Sequence, residues 1–345
     1  MASKASVRKR PNLRILTLAV LVVALALAVR LWHDYGTGRT MTPSEIEQRV
    51  RAHPEEEDAQ LDWGNLLHAQ HRDDEAEAAL KTAANLSPSD PRPLNALGML
   101  AVEQKQPVQA LSYFHASLQL DPKNADIWRG AGLLLLQQHD IPSALDAFDH
   151  ATRLDPKDAL SWRELGLLED SRSAPARGLD ALQRAAALTP NDLTTQDMLG
   201  VHALTDGKLP IAKQAFDRAL ALRPSDPDAL VGSARVTLEM DPSPDGLARA
   251  GRQIDQALAA KPSADAYLAR GQWNLLQRHY QAAVADLKTA LKKDPSQIIA
   301  HSFLSRAYAG AGQPQLASKE ANVFVAANNA LLHPQRSNST GGSGR

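Results

Sequence analysis

The sequence predicts an all-α solenoid of helical hairpins, and three observations predict it. Proline recurs at Pro54, Pro88, Pro122, Pro156, Pro190 and Pro224, each 34 residues from the next. Glycine keeps the same interval at Gly64, Gly98, Gly132, Gly166 and Gly200, with Ala234 where the next would fall. Between successive prolines lie two stretches whose apolar residues recur every three or four positions, the rhythm of an amphipathic helix. A period held this long marks a stack of equal units, none of which buries its apolar face alone.

The first element is a basic arm, residues 1–12. Lys4, Arg8, Lys9 and Arg10 are its charges and Arg14 follows, with no acidic residue among residues 1–14. Ile15–Val29 follows as fifteen residues without a charge, then Arg30, Leu31, Trp32 and Tyr35. Positive charge on the near side places the N-terminus in the cytoplasm and exports the rest. Residues 13–32 are therefore expected to form one transmembrane helix, Arg14 and Arg30 reaching the two interfaces. The expected location is a bacterial inner membrane, single-pass, with the repeats in the periplasm. The small pair Ala26 and Ala28 leaves a cleaved signal peptide and a soluble periplasmic protein as the alternative. A mitochondrial outer-membrane anchor ranks lower, because the run is more apolar than an ordinary transit peptide. Residues 33–54 read as a polar stem, with a helix expected from Pro43 to Arg51 behind an N-cap at Thr42.

The repeats occupy residues 55–331, and Ala125–Asp158 shows their plan. Trp128, Ala131, Gly132 and Leu135 carry the first helical rhythm, and Gln137–Asp140 break it. The second rhythm runs from Pro142 through Ala144, Leu145, Phe148, Ala151 and Leu154. Proline suits the first turn of a helix, where its missing N–H is unbonded anyway. Asp155-Pro156 ends the second helix, since a residue before proline is pushed out of the α region. Small residues in register, such as Ala110, Ala144, Gly178 and Ala212, let helix axes approach, while Phe114, Phe148 and Phe216 fill the space between hairpins. Eight hairpins, sixteen helices, are expected. Trp128 and Trp162 are expected to be buried. The sixth unit is longer by four residues, placed between its helices at Asp241–Gly246. The eighth is worn, with Ser305 at the glycine place and Phe324 in place of alanine, as befits a terminal cap. Residues 332–345 read as a disordered tail.

Trp128, Ala131, Gly132, Leu135, Ala144, Phe148, Ala151 and Pro156 resemble the tetratricopeptide pattern in kind and spacing. Trp162, Leu165, Gly166, Gly178, Leu182, Ala185 and Pro190 repeat it, as do Leu199, Gly200, Ala212, Phe216, Ala219 and Pro224. The resemblance implies a right-handed superhelix whose first helices line a concave face. It also implies that face as the binding groove. Carried over residue by residue, the groove-facing places are Asn65, Arg92, Asn95, Met99, Arg129, Leu133, Arg163, Leu167, Met198, Val201 and Arg235. Apolar side chains with interspersed Arg and Asn suit an extended peptide or a helix of a partner protein. Some relatives bind acidic chaperone tails through Lys and Asn. Here Leu61 and Ala96 stand at two of those places, so that mode is not expected.

Composition narrows the function further. The net charge is −1, and residues 1–14 hold five of the basic residues, so the remainder is acidic and offers no basic stripe for nucleic acid. There is no cysteine, which fits an exported fold held by core burial alone. His68 and His71 lie near Asp73 and Asp74, but nothing pairs with them to complete a metal site. No nucleophile elbow, phosphate-binding glycine loop or metalloprotease motif occurs. The expectation is a protein-binding scaffold without catalytic activity, cofactor or metal. A narrower alternative is an assembly or export adaptor in exopolysaccharide, pilus or cytochrome c biogenesis.

Overall fold

A computed structural model describes residues 41–171 and 175–332. Among these residues there are seventeen helices and no strand. They fall into two compact units, divided between Ala174 and Pro175. The expected anchor at residues 13–32, the basic arm and the tail lie outside the described residues. Among the described residues, no helix is long and apolar enough to cross a membrane.

The first unit opens with α1 (Pro43–Ala52), the helix expected in the stem. Thr42 and Glu45 form a reciprocal capping box. The Glu45 N–H donates to Thr42 Oγ1 at 3.3 Å, and the Thr42 N–H donates to Glu45 Oε2 at 2.7 Å. Hairpins follow as α2 and α3 (Glu57–Ala69, Asp73–Leu86), α4 and α5 (Pro91–Glu103, Pro107–Leu120), and α6 and α7 (Ala125–Gln137, Ile141–Leu154). The unit ends on α8 (Ala159–Ser171). The second unit starts with α9 (Pro175–Leu188). It continues with α10 and α11 (Leu193–Thr205, Leu209–Leu222), α12 and α13 (Pro227–Met240, Pro244–Ala260), α14 and α15 (Ala264–Leu276, Tyr280–Lys293), and α16 and α17 (Ile298–Gly310, Pro314–Leu332). Sixteen helices in register thus follow α1, over nearly the span the period predicts.

Six of the eight first helices end the same way. His71, Lys105, His139, Gly207, Arg278 and Gly312 all have φ between 59° and 75°. The next residue's N–H bonds back to the first helix, as Gln106 does to the Ala101 carbonyl at 2.8 Å and Asp140 to that of Leu135 at 2.9 Å. This is a Schellman turn, which normally wants glycine, and four of the six positions lack it. At the other end of five successive repeats an Asp or Asn stands in register as N-cap of the next first helix. Asp90, Asn124, Asp158, Asp192 and Asp226 all accept backbone N–H groups there.

The glycine interval has a steric cause. A Cβ at Gly200 would come within 2.6 Å of the Phe216 ring, and one at Gly232 would collide with the same ring from the next repeat. Phe216 is fully buried between the two. Phe114 is held likewise between Gly98 and Gly130. Two of the core clusters are built around such a ring and span a hairpin boundary, as in the group of Phe114, Leu118, Ile127, Ala131 and Leu134.

Two expectations change. Trp128 and Trp162 are half-buried, not buried. Each indole N–H must keep a partner, and finds it in the carbonyl six residues earlier, Pro122 at 2.9 Å and Pro156 at 3.0 Å. The extra residues of the sixth unit lengthen its helices and not the link, three in the second helix and one in the first. Ser243 caps α13 by accepting the Gly246 N–H at 3.1 Å, so Pro244–Gly246 form the first turn of a seventeen-residue helix. At the eighth unit Ser305 fits the glycine place by donating to the Ala317 carbonyl at 2.8 Å.

Candidate functional site: the first-helix face

In the second unit α10 touches α12, α12 touches α14 and α14 touches α16 directly. In the first, α2 touches α4. Of the expected groove residues, Asn65, Arg92, Asn95, Met99, Arg129, Leu133, Arg163 and Leu167 lie on the first helices of the first unit, and Met198, Val201 and Arg235 on those of the second.

In the first unit this face is heavily committed to its own repeats. Asn95 is 1% exposed and accepts from the Ser117 hydroxyl of α5. Met99 and Leu133 are buried in the core. Arg129 is 8% exposed, and its guanidinium donates to Asp126 at 2.7 Å and to the N-cap Asp158 of the next repeat at 3.1 Å. Arg92 is half-buried and sits among carboxylates, with Asp90 at 2.7 Å, Asp58 at 2.9 Å and Glu57 at 3.2 Å. Burial first, then the neighbouring Asp90, lifts the Glu57 carboxyl to about 7. Asn65, Arg163 and Leu167 remain half-buried on this face. Arg163 pairs with Glu164 at 3.0 Å, and burial pushes the Glu164 carboxyl up while Arg163 opposes it.

In the second unit Met198 is half-buried against the core around Phe216, and Val201 is 47% exposed. Arg235 is half-buried, yet its Nε is sealed from solvent without a hydrogen-bond partner. Burial pulls its guanidinium below the ordinary value, with Asp265 and Glu239 opposing. The Nε of Arg129 is sealed without a partner in the same way, so what sets the face here apart is the exposed apolar side chain of Val201.

A second concavity lies on the second-helix side of the first unit, a groove of about 590 Å³. Leu111 and Leu118 of α5 form one wall, Trp128 and Leu135 of α6 the floor, and Pro142 and Ala147 of α7 the other wall. The His150 ring stacks on Trp128 with centroids 4.4 Å apart. The sequence did not single out this groove, because each of its residues reads as packing when taken alone. Among the described residues no group of three or more His, Asp or Glu could hold a metal ion. His68 bonds Asp73 at 2.9 Å and lies 3.3 Å from Glu103 of the next repeat, while His71 is one of the left-handed turn residues.

Sequence profiles described as tetratricopeptide repeat match residues 101–165, 198–239, 246–298 and 274–330, together more than half of the chain. Among solved structures the chain is similar to YrrB, described as a TPR protein with an unusual peptide-binding site. The identity is 23% and the TM-score 0.51, over 56% of this chain and 97% of that one. It is also similar to the Cut9–Hcn1 hetero-tetramer of APC/C, at 17% identity and TM-score 0.51, over 92% of this chain and 62% of that one. PilF of Pseudomonas aeruginosa matches at 18% and a TM-score of 0.48, over 61% and 94%. No curated protein matches the chain. At these identities the structural likenesses speak for the fold, and the profiles for the repeat itself: the chain belongs to the tetratricopeptide repeat family.

Proposed function

We propose that this chain is a non-enzymatic scaffold that holds a segment of a partner protein against its first-helix face. The observation that carries this reading is the contrast along that face. Asn95, Met99, Arg129 and Leu133 are buried within the fold, whereas Val201 and Arg235, at equivalent places on α10 and α12, are 47% exposed and half-buried on the same face. An extended segment would set an apolar side chain against Val201 and a carbonyl or carboxylate against the exposed part of the Arg235 guanidinium. Support for the membrane-anchored, periplasmic setting is the uncharged Ile15–Val29 run behind a basic arm. An assembly or export role is the partner-specific form of the same reading, decided by which protein is captured.

The test is affinity capture with the full chain from membranes, comparing wild type with Val201→Asp/Arg235→Glu. The double variant is expected to lose the captured partner at an unchanged melting temperature, while Lys157→Glu, in an exposed turn, keeps it. Full retention by the double variant overturns the proposal. Arg129→Glu is unsuited to this test, since it would set a third carboxylate between Asp126 and Asp158. A reporter fused after Arg345, active in the periplasm, tests the topology.

A further inference from the structure

The junction between the fifth and sixth repeats inverts the charge of the junction between the third and fourth. In the earlier one Arg129 of α6 reaches the buried N-cap carboxylate Asp158 of α8 at 3.1 Å. Two periods later the same two places hold Asp197 in α10 and Asp226 at the N-cap of α12. Asp226 is 6% exposed and already accepts the N–H groups of Asp228 and Ala229, with Arg223 at 3.2 Å. Asp197 faces it with one carboxylate oxygen sealed from solvent and without a hydrogen-bond partner. A guanidinium bridge has become a pair of carboxylates.

Little around Asp197 offsets this. The carboxylates of Asp226, Asp228 and Asp192 act against its ionisation, and Arg223 alone favours it. Asp228 is itself paired with Lys261 at 2.7 Å. On α9, Arg184 pairs with Asp180 and Arg177 is exposed. On α11, Lys213 pairs with Asp217, and Arg218 donates to the Pro190 carbonyl. On α12, Arg235 is drawn to Asp265 and Glu239. On α10 itself, His202 is bonded to the Met198 carbonyl.

We propose that the α10–α12 junction is a proton-gated joint, closed while Asp197 carries a proton and loosened when it is ionised against Asp226. This inference is independent of the partner-binding reading. Burial, then the surrounding carboxylates, lift the Asp197 carboxyl to about 7 in the closed joint. Once the joint opens, the group returns to the ordinary carboxylate range near ~4. The closed form therefore holds a proton that the open form releases. Its stabilisation is fully present below about 4 and is lost as pH rises towards about 7, levelling off above that. Met198, Val201 and Arg235 sit on the two helices that part, so proton concentration would set their register.

Hydrogen exchange on the full chain between pH 5 and pH 8, corrected for intrinsic rates, tests this. Opening of α10 and α12 is expected to rise about tenfold per pH unit from 5 towards 7, relative to α5 and α6 in the same molecule. Asp197→Asn, which cannot ionise, and Asp197→Arg, which restores the bridge, are both expected to flatten that slope. If α10 and α12 rise no more steeply than α5 and α6 in wild type, the proposal fails, and this comparison needs no variant to fold. It also fails if wild type and Asp197→Asn show parallel slopes.

Discussion

The indole N–H of Trp128 donates to the carbonyl of Pro122 at 2.9 Å, so the first turn of α6 is strapped to the proline that ended α5. Trp162 and Pro156 repeat the strap at 3.0 Å, and Gln60 supplies it to Pro54 from an amide at 2.8 Å. Trp128→Phe and Trp162→Phe keep the ring and remove the donor. Each is expected to cost about 0.5–1.5 kcal/mol in urea denaturation, the net worth of one hydrogen bond. A loss of several kcal/mol from either would mean the rings act chiefly as buried core.

Gly232 shares the Phe216 ring with Gly200, and the ring has no room to retreat. Gly232→Ala is expected to destabilise by about 1–3 kcal/mol through overpacking, despite the better helix propensity of alanine. Denaturation midpoints check it. A stabilised variant would show that the α10–α12 contact is looser than the fold implies.

Lys105 holds φ at 59° in a turn where Gly207 and Gly312 serve elsewhere. Lys105→Gly is expected to raise stability by up to ~1 kcal/mol, since the relief of left-handed strain exceeds the extra chain entropy of glycine. Gly207→Ala is expected to do the reverse by a similar amount. Melting temperatures moving in the same direction for both would refute the strain argument.

Arg129 and Asp158 have side chains 10% and 7% exposed. Arg129→Leu strands the carboxylate and is expected to cost about 3 kcal/mol, at the low end for breaking a buried pair. The remaining bonds from Ser161 Oγ at 2.5 Å and from the Leu160 N–H at 3.2 Å moderate the loss. If Arg129→Leu and Arg129→Leu/Asp158→Asn are equally stable, the stranded charge is not the source of the cost.

Glu57 is held at about 7 by burial and by Asp90, so its folded value lies above its ordinary one. The stability tied to its proton is present below the ordinary carboxylate value and disappears as pH rises through about 7. Glu57→Gln is therefore expected to slow exchange in α2 relative to wild type at pH 8 and to match it at pH 5. An equal difference at both pH values would assign the effect to packing.

The period made the fold legible because one cause, close approach of α-hairpins, imposes proline, glycine and alanine at fixed places. The extra length at Asp241–Gly246 was misplaced because Pro244 reads equally as a loop residue and as the first turn of a helix. Only the bond between Ser243 and the Gly246 N–H decides it. The capping series Asp90, Asn124, Asp158, Asp192 and Asp226 was present in the sequence at the same interval and would have named the start of each first helix. The face itself was less legible. Family places say which positions border it, but the fate of Arg129 depends on Asp158 in the next repeat, and pairing of that kind is not written in either position alone.

Asp158 both starts its own helix and receives a guanidinium from the first helix of the preceding repeat. The interval that defines the repeat on paper therefore cuts through a bonded pair. A chain shortened or shuffled at Pro156 would leave Arg129 facing an empty seat, and the cassette carrying Asp158 would meet a stranger.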